Sequence, residues 1–340
     1  MGIVKRKIAV DLGTANTVIM EDDKVVVEQP SIVAIDRRTE EVIAVGDKAL
    51  LMHEKTHENI KTIRPLRDGV IADFTAAQEM IRRFIKMIPP NNVVQKIMGS
   101  SWQMVISIPS NITEVEKRAV RESAEQAGAR EVYLIYQPMA AAIGMGIDVT
   151  QPEGHMIIDI GGGTTDIAII SNQGIVVDQS IRVAGDEFTQ AIIDYMKNKH
   201  NLIIGERIAE EIKKKVGAAI EQLENPPDPM EVVGRDSIKG IPKKVTLHHH
   251  EVAEALKNSL RVLEEAIIKA LSQAPPAISA DLHKHGIHIT GGGSLLRGLD
   301  KKIHRLTGLE VHRAENPLYA VVYGANEVLK DLNKYEFMFV

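Results

Sequence analysis

Two aspartates in this chain each follow an apolar run and precede small residues, a pattern that suits the binding of a magnesium polyphosphate. Asp159 follows the apolar residues 156–158, and three glycines at 161–163 lie between it and a second apolar run. The pattern predicts a β-hairpin whose turn has almost no side chains. Such a turn lets a ligand approach the backbone closely, and its free N–H groups form a concave site for an anion. A carboxylate at the strand end would hold the accompanying metal ion.

The other aspartate, Asp11, has the same surroundings. Residues 7–20 consist of an apolar strand, the aspartate, a glycine, a threonine and a further apolar strand. The two aspartates are 148 positions apart, which is roughly one domain length. The repeat therefore predicts two similar halves that each offer a phosphate-binding hairpin to a shared cleft.

A third glycine turn, at residues 290–295, closes an apolar strand. We expect it to open a helix, because bare backbone before a helix N-terminus suits the phosphate or sugar of a nucleotide. Glu210 and Lys213 lie three positions apart in a charged helix and so share one of its faces. If that helix borders the cleft, the pair would grip a ribose and a base; otherwise it belongs to an ordinary solvated face.

The composition of the chain excludes several classes of protein. The 340 residues are 44 % hydrophobic, which is enough for two cores. The net charge is −5 without a basic stripe, so nucleic acid is not expected as a main partner. The absence of cysteine fits a reducing cytoplasm. No apolar run reaches the ~18 residues of a transmembrane helix, and the N-terminal residues do not have the pattern of a signal peptide.

Alternating strands and helices, typical of a doubly wound α/β core, must position these residues. Residues 104–108 form a predicted strand, and Thr113 followed by Glu116 predicts a capping box at the start of the next helix. The three histidines 248–250 are expected at the end of a surface strand. The apolar residues 335–340 either pack on the first domain or form a docking surface.

Three segments match the signatures of the actin superfamily for the first phosphate, the second phosphate and adenosine. They are residues 8–17 (IAVDLGTANT), 157–165 (IIDIGGGTT) and 290–298 (TGGGSLLRG). Further segments resemble the MreB family of bacterial actins, the rod shape-determining proteins: residues 64–73, 138–144, 181–187 and 204–210. The resemblance covers about residues 7–329.

The resemblance implies an actin-like ATPase fold of the α/β class, with two similar domains around a nucleotide cleft and a smaller subdomain on each. The implied boundaries are 1–32, 67–148 and 316–340 for subdomain IA, 33–66 for IB, 149–183 and 247–315 for IIA, and 184–246 for IIB.

The resemblance also implies a nucleotide-dependent cytoskeletal filament that polymerises at the inner membrane face and directs cell-wall synthesis and rod shape. Its partners would be further copies of itself, the membrane surface and the cell-elongation membrane proteins MreC, MreD and RodZ, and it would be cytoplasmic and peripheral on the inner membrane. A filament for another cargo, such as a plasmid or an organelle, is an alternative, and a small-molecule kinase of the same superfamily is a further one.

ATP, or GTP in its place, and Mg²⁺ are the implied cofactors. Asp11 and Asp159 would orient Mg²⁺ through water, and with Thr164 and Gln137 they are the candidate catalytic residues. The residues expected to hold the nucleotide are Gly13, Thr14, Ala15, Asn16, Gly161, Gly162, Gly163, Glu210, Lys213, Gly291, Gly292, Gly293, Ser294 and Leu295.

The chain departs from the family pattern at two positions and offers one candidate for membrane attachment. Gln137 stands where a glutamate usually activates the attacking water; glutamine can hold a water but cannot accept its proton, so we expect slow hydrolysis. Asp166 stands where glutamate is usual, a conservative change. Residues 92–102 offer apolar side chains, Lys96 and Trp102 to a membrane interface; alternatively, Trp102 begins a core strand.

Overall fold

The computed structural model describes residues 5–55, 58–67, 69–90 and 101–340. Its strands, in chain order, are β1 Lys5–Leu12, β2 Asn16–Glu21, β3 Lys24–Pro30, β4 Val33–Asp36, β5 Val42–Val45, β6 Ile60–Ile63, β7 Leu66–Arg67, β8 Val70–Ile71, β9 Ser101–Ile108, β10 Ala129–Tyr136, β11 His155–Ile160, β12 Thr165–Ser171, β13 Gly174–Ile181, β14 Leu202–Ile203, β15 Met230–Asp236, β16 Pro242–Leu247, β17 Ile287–Thr290 and β18 Val311–Arg313.

The helices of the described residues lie between these strands and cover the sheets. They are α1 Asp47–Met52, α2 Phe74–Met87, α3 Glu114–Gln126, α4 Gln137–Gly144, α5 Gly185–His200, α6 Glu206–Val216, α7 His249–Gln273, α8 Pro276–His285, α9 Leu299–Thr307 and α10 Ala320–Lys330, with 3₁₀ helices at Gly292–Leu295 and Glu336–Met338.

The chain divides into two compact units. Unit 1 consists of Met1–Pro152, Ile170–Ile175 and Leu318–Val340, and unit 2 consists of Glu153–Ile169 and Val176–Pro317. Each has a five-stranded sheet, with the order β10-β9-β1-β2-β3 in unit 1 and β18-β17-β11-β12-β13 in unit 2. The first strand of each unit's sheet, β1 or β11, pairs in parallel with β9 or β17. The two orders correspond strand by strand, as the repeated aspartate pattern predicts. The subdomain boundaries stay a prediction.

Each unit has its own hydrophobic core, because the apolar runs of its strands meet apolar faces of its helices. The core of unit 1 includes Ile8, Val10, Phe84, Met104 and Ile106, and that of unit 2 includes Met156, Ile158, Phe188, Ile287 and Ile289. The two cores agree with the expectation from the hydrophobic content.

In unit 1, helices α4 and α10 cross in backbone contact. A Cβ atom on Gly144 would overlap the carbonyl oxygen of Ala320, and one on Gly324 would overlap the carbonyl oxygen of Ala140. Small residues on both helices are therefore a condition of this packing. The crossing fixes α4, the helix that begins at Gln137.

Two of the local predictions are confirmed. Thr113 caps α3: its side chain accepts from the Glu116 N–H at 3.3 Å, and the Glu116 carboxylate accepts from the Thr113 N–H at 2.8 Å. The apolar tail packs on the first domain, because the Val340 N–H donates to the Leu134 carbonyl at 3.1 Å and the Phe339 ring lies 4.8 Å from that of Tyr133.

The prediction for the histidine triplet is wrong. Strand β16 ends at Leu247, and His248 is the N-cap of α7, so the histidines belong to the start of a helix. The physical reason is Glu251, three residues after the cap, whose carboxylate accepts from the His248 N–H at 2.9 Å and completes a capping box.

Residues 92–102 are interpreted either as a membrane-attaching segment or as a segment in which Trp102 begins a core strand, and the structure tests the second interpretation. Trp102 lies in β9 and is buried, and the guanidinium carbon of Arg6 stands 4.6 Å from its ring centroid. The alternative that Trp102 begins a core strand is therefore confirmed. Residues 92–100 lie outside the described residues. Within the described ranges, no helix has both the length and the apolar character needed to cross a membrane.

Candidate functional site

The first hairpin places Asp11 at the carboxyl end of β1, opposite Ser107 in the parallel neighbour β9. The Ser107 hydroxyl donates to Asp11 Oδ1 at 2.8 Å, and Gln137 Nε2 lies 3.5 Å from the same oxygen. Burial raises the pKa of Asp11, and the hydrogen bonds from its two neutral donors oppose this only in part. A cation beside the carboxyl group would favour its charged form.

The turn after Asp11 is held in shape by neighbouring elements. The carbonyl oxygen of Gly13 accepts from the Ser31 hydroxyl at 2.6 Å, and Thr14 Oγ1 accepts from the Gly69 N–H at 3.1 Å. The Ala15 carbonyl accepts from the Ser31 N–H at 2.9 Å. The four predicted phosphate contacts at residues 13–16 therefore lie in one braced turn beside Asp11.

The second hairpin repeats this geometry in unit 2. Asp159 lies near the end of β11 opposite Thr290 in the parallel neighbour β17, and it is buried. The turn is closed by a hydrogen bond of 2.9 Å from the Gly161 N–H to the Thr164 carbonyl. The carbonyls of Gly161 and Gly162 accept N–H groups from the start of α5 at 3.1 and 2.8 Å. The bare turn that the sequence predicts is thus anchored through these carbonyls and through the Gly161 N–H. The binding of an anion by its other N–H groups stays a prediction.

The hydroxyl group of Thr164, a candidate catalytic residue, is engaged within the hairpin. It donates to Asp166 Oδ2 at 3.0 Å, and both side chains are buried. Burial raises the pKa of Asp166. The geometry therefore shows Thr164 shaping the second hairpin, and its catalytic role stays a prediction.

The third glycine turn packs directly on the second hairpin. Gly291 has φ of +78°, and a Cβ atom there would overlap both the Ile160 carbonyl oxygen and Asp159 Oδ1. The Gly291 N–H donates to the Pro317 carbonyl at 3.0 Å, and the Ser294 hydroxyl donates to the Gly291 carbonyl at 2.7 Å. Glycine is therefore required at residue 291 for the two turns to meet beside Asp159.

The helix predicted after this turn differs from the observed one. The turn opens a 3₁₀ helix, Gly292–Leu295, and the α-helix begins only at Leu299. Consecutive glycines lower helix propensity, which explains the delay. Leu295 keeps an exposed side chain, 47 % accessible, at the end of this segment.

Glu210 and Lys213 form an ion pair on α6, with 2.6 Å between Oε2 and Nζ. Lys213 also donates to the Gly185 carbonyl at 2.6 Å and to the Thr189 hydroxyl at 2.9 Å. Burial acts to raise the pKa of Glu210, but the charge and hydrogen bond of Lys213, with Lys214 and Thr189, outweigh it and lower the pKa.

This ion pair belongs to the surroundings of the second hairpin. The Gly185 N–H donates to the Gly161 carbonyl at 3.1 Å, so Lys213 reaches a residue that contacts the turn itself. The structure thus brings together, within unit 2, Asp159, the 161–163 turn, the 291–295 turn and the ion pair. Within unit 1 it brings together Asp11, the 13–16 turn and Gln137.

Sequence reasoning missed Ser107, Ser31 and Thr189. Ser107 was detectable in principle, since it is the polar residue near the end of the apolar strand 104–108. The other two contact the site through register and helix packing, for which the local sequence holds no signal.

The residues fit a magnesium polyphosphate. Both hairpins combine a carboxylate at a strand end with a turn that exposes backbone, and Gly291 leaves room where a side chain would fill the space beside Asp159.

A comparison with protein-family models identifies the chain. The model described as MreB/Mbl protein matches residues 5–337. The chain belongs to the MreB/Mbl family. This family member therefore has the actin-like fold that its motifs predict, and its family is one of cell shape-determining proteins.

Its relatives agree along nearly the whole length. The MreB/Mbl family member is 43 % identical over 330 residues to the cell shape-determining protein Mbl of Bacillus subtilis, with 97 % of each chain covered. It is 43 % identical over 334 residues to the cell shape-determining protein MreB of Escherichia coli, with 97 % of this chain and 94 % of the relative covered.

Solved structures agree with the fold. MreB5 of Spiroplasma citri, bound to AMPPNP, is 35 % identical to this family member and superposes with a TM-score of 0.90 over 97 % of both chains. MamK, solved as a double helical filament, is 20 % identical with a TM-score of 0.77 over 96 % of this chain and 99 % of MamK, and this likeness concerns the fold alone.

Proposed function

We propose that this MreB/Mbl family member is a magnesium-dependent ATPase that assembles into filaments at the inner membrane face and there directs cell-wall synthesis. The observation that carries the proposal is the equivalent position of two aspartates: Asp11 stands opposite Ser107 in unit 1, and Asp159 stands opposite Thr290 in unit 2. A carboxylate beside a bare turn suits a metal-bound polyphosphate. The nucleotide bound to MreB5, AMPPNP, is an ATP analogue, which supports ATP over GTP.

The two units supply different groups to the reaction. Asp11 and Asp159 would hold Mg²⁺ through water, and the bound ion would supply positive charge that neutralises the triphosphate. Gln137 directs its amide nitrogen toward Asp11, which leaves its carbonyl oxygen to accept a hydrogen bond from the attacking water. Because the amide cannot take the proton, hydrolysis is slow.

The nucleoside is held by unit 2. The ion pair of Glu210 and Lys213 offers a carboxylate and an ammonium group to ribose and base, and residues 291–295 lie beneath them. The exposed side chain of Leu295 provides an apolar contact for a flat ring.

The decisive test compares Asp11→Asn, Asp159→Asn and the double variant for Mg²⁺-dependent ATP binding and phosphate release. If both aspartates hold one ion, each single change removes most of the function and the double change costs less than the two added together. Fully additive losses would mean two independent sites and would contradict a shared nucleotide. Asp194→Asn, at an exposed position of α5, is the control that should behave as wild type.

Assembly is tested by sedimentation and by electron microscopy with ATP and Mg²⁺ on a lipid layer, with GTP in a parallel sample. We expect nucleotide-dependent filaments on the lipid. A protein that stays in the supernatant at all concentrations and phosphorylates a sugar would instead be a kinase. Filaments that form but do not bind the lipid layer would favour the alternative of a filament for another cargo.

Membrane attachment is proposed through residues 92–100. The double change Val93→Glu and Val94→Glu should abolish flotation with liposomes, because a charged side chain opposes insertion at the interface. Ile238→Glu, which alters a 77 % exposed apolar side chain in unit 2, is the matched control. If the double variant floats with liposomes as the wild type does, residues 92–100 do not attach the protein to the membrane. The partners MreC, MreD and RodZ belong to the same proposal and rest on the family resemblance.

A further inference from the structure

A cluster of histidines in unit 2 lies at the end of the sheet opposite to the phosphate turns. His155 begins β11, whereas Asp159 stands four residues further along the same strand. At ~3.3 Å per residue the two ends are about 13 Å apart. A ligand bound at the cluster would therefore be separate from the nucleotide.

The cluster contains three groups that ligate metals: the carboxylate of Glu153 and the rings of His155 and His285. One ligand atom from each can be chosen so that all three lie within 4.8 Å of one another. Nε2 of His285 stands 3.1 Å from Oε2 of Glu153, yet this contact lacks hydrogen-bond geometry. Nδ1 of His155 is buried and has no hydrogen-bond partner among the described residues. Buried ring nitrogens are normally paired, so these two need an explanation.

The three side chains are held together by the packing of one helix on one loop. His285 is the last residue of α8, and Asp281 in the same helix accepts a hydrogen bond of 2.8 Å from the Gly154 N–H. A Cβ atom at Gly154 would lie 2.6 Å from Ile278 of α8, so the loop lies tightly against the helix. The ligands on both sides of Gly154 are thus preorganised relative to His285.

The neighbouring groups leave the cluster able to accept a cation. Lys284 Nζ contacts Glu153 Oε1 at 3.2 Å, which leaves Oε2 directed at His285. The rings of His155 and His285 are 4.5 Å apart at their centroids, and His288 lies beyond at 6.0 Å from His155.

We propose that Glu153, His155 and His285 bind a divalent ion of the zinc class. Two imidazole nitrogens and one carboxylate are a common donor set for Zn²⁺, with water in the fourth position. Tetrahedral bonds of about 2.0–2.1 Å place ligand atoms about 3.4 Å apart, so small side-chain rotations suffice. Mg²⁺ prefers oxygen ligands, so the ion differs from the one that accompanies the nucleotide. It ties the start of β11 to the end of α8.

The test titrates the full chain with Zn²⁺ against a chromophoric chelator, with Mg²⁺ in excess. We expect one tight Zn²⁺ per chain, and an affinity loss of about 100-fold or more in His155→Gln and in His285→Gln, since even outer-shell changes cost about 10–100-fold. Co²⁺ in place of Zn²⁺ should give the visible absorption of a tetrahedral site in the wild type alone.

Two controls separate this cluster from other histidines. His283→Gln changes an exposed residue of the same helix α8, and the double variant His248→Gln and His250→Gln removes the stacked pair at the start of α7. Both should keep the tight site. The proposal would be overturned if the double variant of His248 and His250 lost tight Zn²⁺ binding. It would also be overturned if the variant with both His155 and His285 replaced kept tight Zn²⁺ binding.

A variant that fails to fold is replaced by Glu153→Gln, at a side chain that is 45 % exposed and tolerates change. Zn²⁺ should raise the thermal midpoint of the wild type by several degrees and leave that of Glu153→Gln unchanged, because an ion stabilises only the state that binds it. Equal shifts in both proteins would also contradict the site.

Discussion

The two phosphate hairpins occupy equivalent positions in equivalent sheets, yet they differ in the groups that lie next to the aspartate. The first surrounds Asp11 with side chains, from Ser107 at 2.8 Å and Gln137 at 3.5 Å. The second brings bare backbone close to Asp159, because Gly291 lies where a Cβ atom would overlap Asp159 Oδ1 and the glycine turn 161–163 follows directly in the chain.

This difference shows how two similar units can take different roles, one in the reaction and the other in binding. Side chains can hold a water or a proton, so the first hairpin carries the groups suited to the reaction. Bare backbone offers close approach and fixed N–H dipoles, so the second carries the groups suited to binding. Three changes test this division, beginning with the largest expected effect.

Gly291→Ala should damage the second hairpin most. Gly291, with φ of 78° and ψ of 164°, has an extended positive-φ conformation that is essentially restricted to glycine and costs alanine about 1–3 kcal/mol. The overlap with Ile160 and Asp159 adds an overpacking cost of about 1–3 kcal/mol. Displacement of the turn should also weaken ATP binding by about 100-fold. Thermal unfolding and nucleotide titration measure the two effects.

Gly308→Ala is the matched control for that change. Gly308 lies in the same unit with φ of +71°, but a Cβ atom there meets nothing within 4 Å. We expect only the conformational cost and unchanged ATP binding. Equal effects in the two variants would show that backbone contact at Gly291 is unimportant.

The change Gln137→Glu tests whether the first hairpin carries the groups suited to the reaction. A carboxylate beside the water can accept its proton, so Mg²⁺-dependent phosphate release should rise by about tenfold or more. Without Mg²⁺ the new carboxyl group would lie beside the buried Asp11, and the pair would resist ionisation. Gln137→Ala, which loses the water contact, should be slower than wild type. Equal rates for wild type and Gln137→Glu would refute a positioning-only role for the glutamine.

Glu210→Gln should have the smallest effect, and one that depends on pH. The pKa of Glu210 in the folded protein lies below its ordinary value of 4.5, so its ion pair stabilises the fold above pH 4.5 and loses this contribution as the pH falls through the lowered pKa. The variant should therefore lower the thermal midpoint by no more than about 2–4 °C at pH 7.

On acidification below pH 4.5 the difference between Glu210→Gln and wild type should disappear. Glu211→Gln, in which an exposed carboxylate paired with Lys215 is changed, is the control and should differ little from wild type at either pH. A difference for Glu210→Gln that persists in acid would exclude the ion pair as its cause.

The sequence predicts those parts of the site that lie close together along the chain. Asp159 and its glycines form a hairpin because an apolar strand, a turn and a second strand follow directly, and Thr113 caps a helix because Glu116 is three residues away. Ser107 could not be connected with Asp11, since their contact depends on the register of two parallel strands 96 residues apart.

The errors have local physical causes. At His248, histidine is not among the preferred N-cap residues, yet Glu251 supplies the cap from within the helix. At Gly292, three consecutive glycines favour a tight 3₁₀ turn before the helix can begin. The contact between His155 and His285 could not be predicted for the same reason as that between Ser107 and Asp11, because 130 residues separate the two histidines along the chain.

The crossing of α4 and α10 has a consequence for synthesis on the ribosome. Gly144 belongs to the first half of the chain, but its partner Gly324 follows the whole of residues 176–317. At ~5–20 residues per second, α4 waits about 9–35 s after Gly144 until synthesis reaches Ala320, the start of the helix that covers it. During that interval the apolar face that carries Ala140 stays uncovered by α10, so a nascent chain of this protein offers a holding chaperone a binding surface that the finished molecule hides.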